Sequence, residues 1–243
     1  MLSPSGGELE RGLPRHGFCG PATIWMKSHA RLARAFSSDA HRRSCKVLSM
    51  DYMNDERTSL RGGVALSHFF LRERVRPGDT VVDATCGNGQ DTIFLARLVG
   101  ETGTVWGFDP QPEALAATRS LLAEEGVLHR VRLKQEGHER MAEFVGAPVM
   151  AAVFNLGYLP GGDRRFTTSP VTTIPALDAV LSLLQPGGII LVVLYTGHAG
   201  GEDEAEEIAR WGSGLDPRLV NVWVCRQANR PSAAPFLLVA EKR

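Results

Sequence analysis

The stretch Asp83-Ala84-Thr85-Cys86-Gly87-Asn88-Gly89-Gln90-Asp91 sets two closely spaced glycines between two carboxylates. Such glycines can take positive φ and let a ligand approach the backbone, and a helix beginning just after them offers free N–H groups. Asp109 stands twenty residues beyond Gly89, where a carboxylate can accept hydrogen bonds from both hydroxyls of a ribose. Together the two features point to an adenosine-containing cofactor. A third group, Asn155-Leu156-Gly157-Tyr158, carries a different chemistry. An Asn and a Tyr where a strand runs out can face something bound at the edge of the sheet, the Asn amide both accepting and donating hydrogen bonds. Each residue also has a structural reading: Asp83 as a cap or turn residue, Asp109 as a turn starter before Pro110, and Asn155 as a strand end with Tyr158 packed beside it.

Several chemistries are excluded by what the spacing lacks. A dinucleotide fingerprint needs a third glycine three residues after Gly89, and Thr92 stands there. No G-x-x-x-x-G-K-[ST] phosphate loop occurs, which argues against nucleoside triphosphate use. Cys19, Cys45, Cys86 and Cys225 form no C-x-x-C pair, and the seven histidines show no metalloprotease spacing, so no metal is expected and a reducing compartment fits.

The elements that position these residues follow from periodicity. "VALSHFFLRERV" has helical spacing and is broken by Pro77-Gly78, and "TVVDAT" is then a short buried strand ending at Asp83 and Thr85. The helix "QDTIFLARLVG" leads to the strand "TVWGFD" that ends at Asp109, and "PQPEALAATRSLLAEEG" is a helix opened by proline and closed by Gly126. Strands "RVRLKQ", "VMAAVFN" and "GIILVVLY" follow, with the helix "TIPALDAVLSLLQPG" between the last two and Thr172 or Thr173 as its N-cap. "RLVNVWVCRQA" and "APFLLVAEKR" are adjacent strands with no helix between them. The expected fold is α/β: a doubly wound, mostly parallel, seven-stranded Rossmann-like sheet closed by a C-terminal antiparallel hairpin. Ligands in such sheets bind beyond the carboxyl ends of the strands, where all three groups fall.

The whole chain has 243 residues and formal net charge zero, which argues against a surface coated for nucleic acid or membrane. Residues 1–50 differ, with eight Lys or Arg against three acids. Between Arg11 and Ser49 the chain is Arg-rich with one acid, the composition of an organelle transit peptide, densest in "MKSHARLARAFSSDAHRR". A disordered basic tail is the other reading. Residues 1–47 are therefore expected to be an extension, targeting a mitochondrion or plastid, and residues 48–243 the catalytic domain. Without a transit peptide the location is cytoplasmic. No apolar run approaches the roughly 18 residues that a spanning helix needs, so no membrane association is expected.

The pattern D-x-x-x-G-x-G, an acid ending the next strand and the closing hairpin resemble the class I S-adenosylmethionine methyltransferases over roughly Val64 to Arg243. "DATCGNGQDTIFLARLVG", "FNLGYLPGGDRRFTT", "TGHAGGEDE" and "PFLLVAEKR" together resemble, more narrowly, the MnmM family, also called YtqB-type, with departures at Cys86 and Gln90. The resemblance implies S-adenosyl-L-methionine as cofactor, tRNA as partner through its anticodon region, and N-methylation of the 5-aminomethyl group of a wobble (thio)uridine. Homodimerisation is left open. It further implies a cofactor set of Asp83, Thr85, Gly87, Asn88, Gly89, Asp91, Thr92, Asp109, Gln111, Glu136, His138 and Asn155, with Asp83 and the glycine backbone at the methionine end, Asp109 at the ribose and Glu136 to His138 near adenine. Asn155-Leu156-Gly157-Tyr158 resembles the [ND]-P-P-[YF] loop of amino methyltransferases, with Leu-Gly replacing the prolines. Asp163 and His198 are the further polar candidates for catalysis, and each also fits a turn or cap. Arg164, Arg165, Thr167 and Thr168, with Arg226 and Arg230, are candidates to hold RNA phosphates. A methyltransferase acting on rRNA or another acceptor, and a non-catalytic RNA-binding or partner-binding module, remain as alternatives.

Overall fold

A computed structural model describes residues 60–146, 148–159, 161, 166–197 and 199–243. The basic extension, Asp163, Arg164, Arg165 and His198 lie outside the described residues. Seven strands, β1 Thr80–Asp83, β2 Thr104–Phe108, β3 Val131–Lys134, β4 Val149–Asn155, β5 Leu184–Leu194, β6 Val220–Cys225 and β7 Phe236–Lys242, form one sheet in the order β3-β2-β1-β4-β5-β7-β6. All neighbours are parallel except β7, which runs antiparallel to both β5 and β6.

Five helices cover the sheet: α1 Gly62–Arg74, α2 Gln90–Val99, α3 Pro112–Glu124, α4 Pro170–Leu183 and α5 Gly201–Gly214. The strands are buried on both faces, so their sequences read as nearly unbroken apolar runs. Along β4 the side chains alternate: Ala151 and Val153 join Leu71 of α1 and Leu95 of α2 in one core, while Ala152 and Phe154 join Leu177 of α4 and Ile208 of α5 in the other. This period of two is what a pleated strand imposes. Strand order reverses between β1 and β4, because the chain builds β1 to β3 outward on one side and β4 onward on the other. No helix among the described residues is long and apolar enough to cross a membrane.

One helix has no counterpart in the sequence reading, and one cap needs correction. Helix α5 lies between β5 and the terminal hairpin, a stretch to which the sequence reading assigns no element. Its buried positions Gly201, Glu204, Ala205, Ile208 and Gly212 repeat at helical spacing, but the stripe is narrow, contains a carboxylate and is flanked by acids. Helix α4 begins at Pro170 with Ser169 as the N-cap residue, so Thr172 and Thr173 lie inside its first turn. Proline at the first helical position costs no hydrogen bond and fixes the start three residues earlier than the threonines would. Thr172 Oγ1 donates to the Ser169 carbonyl at 3.1 Å, and Thr173 is buried and donates instead to Glu204.

Helix α1 meets the sheet through Gly63, Ser67 and Leu71, one stripe at four-residue spacing. A Cβ at Gly63 would lie 2.9 Å from Val193 Cγ1 and 3.3 Å from the backbone oxygen of Phe236, so the helix axis depends on the absence of a side chain there. Gly63→Val is expected to lower stability by about 1–3 kcal/mol through overpacking, read from the urea midpoint. An unchanged midpoint would show that α1 can move off the sheet without cost.

Candidate active site

The carboxyl ends of β1, β2 and β4 open into a cleft of about 970 Å³. Asp83 ends β1, fully buried, and its neighbours are arranged around the carboxylate. Thr92 Oγ1 of α2 donates to Asp83 Oδ2 at 2.6 Å and the Thr85 N–H to Oδ1 at 3.2 Å. Thr92 is therefore the hydroxyl that holds Asp83, and neither residue lines the cleft. Burial raises the Asp83 carboxyl to about 7, and the nearby Asp91 charge adds to the effect.

The loop that follows is fixed by the chain itself. Gly87 takes φ 50° and Gly89 φ 83°. A Cβ on Gly89 would lie 3.0 Å from Thr118 Cα, so both backbone conformation and space require glycine there. The Gly87 N–H donates to Asp109 Oδ2 at 2.9 Å, and its carbonyl accepts from Thr118 Oγ1 at 2.9 Å. Asp109 Oδ1 accepts the Gln111 N–H at 2.9 Å. Burial raises the Asp109 carboxyl above its ordinary value. Gly87, Asn88, Gln90, Asp91, Asp109 and Gln111 line the cleft, whereas Gly89 shapes it from behind.

On the far side of Asp109, Gly137, His138 and Glu139 line the wall. His138 is buried, which holds its imidazole below the usual value and hence neutral; its Nδ1 lies 3.3 Å from the Ala84 carbonyl. Glu136 does not reach the cleft and pairs with Arg140 at 2.6 Å. Glu139, three residues on, lines the wall instead.

The third constellation meets the first two at Asp91. The Asn155 N–H donates to Thr85 Oγ1 at 2.8 Å, and Asn155 Nδ2 donates to Asp91 Oδ2 at 3.0 Å. The remaining amide atom, Asn155 Oδ1, is buried with no hydrogen-bond partner among the described residues. Tyr158 and Tyr195 line the same end of the cleft. Burial and the Asp91 charge raise the Tyr195 phenol, so it stays protonated. Thr168 closes the loop: the Gly157 N–H donates to its Oγ1 at 2.8 Å and its own N–H donates to the Gly157 carbonyl at 2.9 Å. Buried Glu204 of α5 then accepts from Thr168 Oγ1 and from Thr173 Oγ1, each at 2.8 Å. Thr167 lines the cleft beside Thr168. Arg226 and Arg230 are exposed on the loop between β6 and β7, whose Ala233 and Pro235 reach the cleft; the Arg226 guanidinium packs 3.5 Å over the Phe236 ring.

The family described as "Putative rRNA methylase" matches residues 105–241. A tRNA (mnm(5)s(2)U34)-methyltransferase, chloroplastic, of Arabidopsis thaliana is 40% identical over 191 residues, covering 73% of this chain and 68% of the relative. The chain belongs to this family. The crystal structure of a "putative rRNA-methylase" from Clostridium thermocellum superposes with a TM-score of 0.74 at 43% identity, covering 76% of this chain and 100% of that one. A "putative methyltransferase" from Streptococcus mutans in complex with SAH gives 0.70 at 34% identity, covering 76% of this chain and 100% of that one. The protein is an S-adenosylmethionine-dependent methyltransferase.

The residues of this rRNA-methylase family member fit that cofactor. Each Asp109 oxygen has one backbone donor, so lone pairs remain for two ribose hydroxyls. Three carboxylates, Asp83, Asp91 and Asp109, surround the glycine loop and favour a ligand carrying positive charge. Three contributors escaped the sequence reading. His68 of α1 sits 2.6 Å from Asp91, Tyr195 lies one residue past β5, and Glu204 belongs to α5. Tyr195 ends the run "GIILVVLY" as Asn155 ends "VMAAVFN", so strand-end position was the available signal for it.

The raised Asp83 value sets a pH dependence. Between the ordinary carboxylate range near 4 and about 7, the folded ligand-free protein keeps a proton that the unfolded chain has released. Stability then falls as pH rises through that window, and Asp109 acts in the same direction. Denaturation midpoints of the ligand-free protein should fall more steeply with pH in the wild type than in Asp83→Asn. Equal slopes would mean that Asp83 is ionised in the folded state at the ordinary value.

Proposed function

We propose that the protein N-methylates the 5-aminomethyl group of the wobble (thio)uridine of tRNA, giving the methylaminomethyl nucleoside. The observation that carries this reading is Asn155 Oδ1, a buried acceptor with no partner among the described residues, on a side chain that lines the cleft, in a chain similar to a relative named for that tRNA position. The cofactor supplies an electrophilic methyl group on a positive sulfonium. An alkyl ammonium brought beside that charge is pushed toward its neutral, nucleophilic form. Asn155 Oδ1 accepts one N–H of the amine and turns its lone pair to the methyl group, at a near-attack distance of about 3–3.5 Å. Tyr158, half-exposed at the mouth, stacks on the uracil ring.

Asp83, Thr85, Gly87, Asn88, Gly89, Asp91, Thr92, Asp109, Gln111 and His138 hold or shape the cofactor site in this reading, and Glu136 acts through Arg140. Thr167, Arg226 and Arg230 hold phosphates around the splayed nucleotide, together with Arg164 and Arg165, whereas Thr168 donates its hydroxyl hydrogen bond to Glu204 and braces the loop. Asp163 and His198 are assigned to the acceptor end. Residues 1–47 serve as a transit peptide ahead of a domain from residue 48; the chloroplastic relative supports a plastid destination.

The test incubates the protein with labelled S-adenosylmethionine and tRNA bearing unmethylated aminomethyl-thiouridine, digests the RNA and identifies the nucleosides by mass spectrometry. Label in the methylaminomethyl nucleoside is the expected result. Asp109→Ala should weaken S-adenosylhomocysteine binding at least tenfold, since two hydrogen bonds to a charged acceptor are lost at about 1.5 kcal/mol or more each. Asn155→Ala should lower kcat about 100-fold, the usual effect of removing one positioned hydrogen-bonding group in a transition state. Cofactor binding without transfer to this RNA would reject the acceptor and direct the search to rRNA.

A further inference from the structure

An Asn side chain is an acceptor at one end and a donor at the other, and its shape alone does not decide which end meets a substrate. Asp91 decides it here. A carboxylate oxygen accepts, so Asn155 turns Nδ2 toward Asp91 Oδ2, and Oδ1 is left without a partner among the described residues. The other carboxylate oxygen, Asp91 Oδ1, is 2.6 Å from His68 Nε2, which by the same argument is the donor. His68 is itself held: its ring stacks on Phe94 with centroids 3.9 Å apart and planes 7° from parallel, and it follows Ser67 on the stripe that seats α1 against the sheet.

We propose that His68 is a positioning residue for methyl transfer. By fixing Asp91 it fixes the rotamer of the Asn155 amide, so that the acceptor end meets the substrate and the site selects a nucleophile bearing an N–H. This rests on the amine acceptor argued above. A swung Asp91 would let the Asn155 amide rotate and offer Nδ2 to the substrate, which repels an amine N–H. His68 lies outside the cleft lining, so it acts through Asp91 and Asn155 and not by contact.

The wild type, His68→Gln and His68→Leu are compared. A Gln can place its amide N–H where His68 Nε2 stands, and a Leu cannot. With aminomethyl tRNA, His68→Leu should lose about 100-fold in kcat, the scale of a misplaced reacting group, while KM for tRNA stays near wild type. His68→Gln should recover most of kcat. Wild-type kcat in His68→Leu, or a Gln variant as slow as the Leu variant, would overturn the proposal.

A second readout needs no RNA: binding of the cofactor analogue that carries an amine in place of the sulfonium methyl, relative to S-adenosylhomocysteine. Wild type and His68→Gln should share one preference for the amine analogue and His68→Leu should lose it. Equal preference in all three overturns the positioning role. Loss confined to His68→Leu, in a protein that methylates no wobble amine, upholds the positioning role and rejects only the acceptor.

Discussion

Three carboxylates crowd one glycine loop, and the rest of the site is arranged around that crowding. Asp83, Asp91 and Asp109 stand at or just beyond the ends of β1 and β2, all nearly buried. Burial and neighbouring charge raise the proton affinity of Asp83, burial raises that of Asp109, and hydrogen-bond donors work against both rises. The chain supplies them separately: Thr92 and the Thr85 N–H to Asp83, His68 and Asn155 to Asp91, and the Gly87 and Gln111 N–H groups to Asp109. The Gly87 N–H can turn to Asp109 only because the backbone there takes positive φ, so the glycines serve the carboxylates as much as the ligand. What the donors leave uncompensated is negative potential, which a sulfonium relieves.

The sheet explains why these groups meet. Because strand order reverses between β1 and β4, the segment leaving β1 toward Asp91 and the end of β4 that carries Asn155 lie side by side. One loop is braced by α2 through Thr92. The other is braced from the opposite face by Glu204 of α5 through Thr168 and Thr173. A buried carboxylate with two hydroxyl donors holds Thr168 where it pairs with Gly157, so both ends of the acceptor loop are fixed to the fold.

Much of this was legible in sequence because strand ends are legible. Asp83, Asp109 and Asn155 each follow an apolar run, and in a parallel sheet such positions converge on one edge. The glycine spacing then separated this loop from a pyrophosphate site. Residues that act from other elements were not legible. His68 sits mid-helix among Phe and Leu, and only the packing of α1 across β5 and β7 carries it to Asp91. Glu204 reads as one acid among many in "GEDEAEE", although the helix that buries it repeats its buried positions Ala205, Ile208 and Gly212 at helical spacing. Glu136 precedes the tight 3-10 segment His138–Glu143 and Glu139 lies within it, and sequence alone does not decide which of them reaches the cleft.

Asp91 belongs to both halves of the site, which constrains how an acceptor preference can change. It opens α2 immediately after the cofactor loop and lines the cleft, and it also receives Nδ2 of Asn155. A substitution there disturbs the cofactor and the acceptor together. His68 and Asn155 each touch Asp91 from one side, so they can alter the acceptor while leaving the ribose contacts of Asp109 intact. Specificity in this architecture is then set by the partners of the shared carboxylate, one on a helix preceding the sheet and one at the end of β4. The cofactor loop stays fixed because its glycines tolerate no side chain.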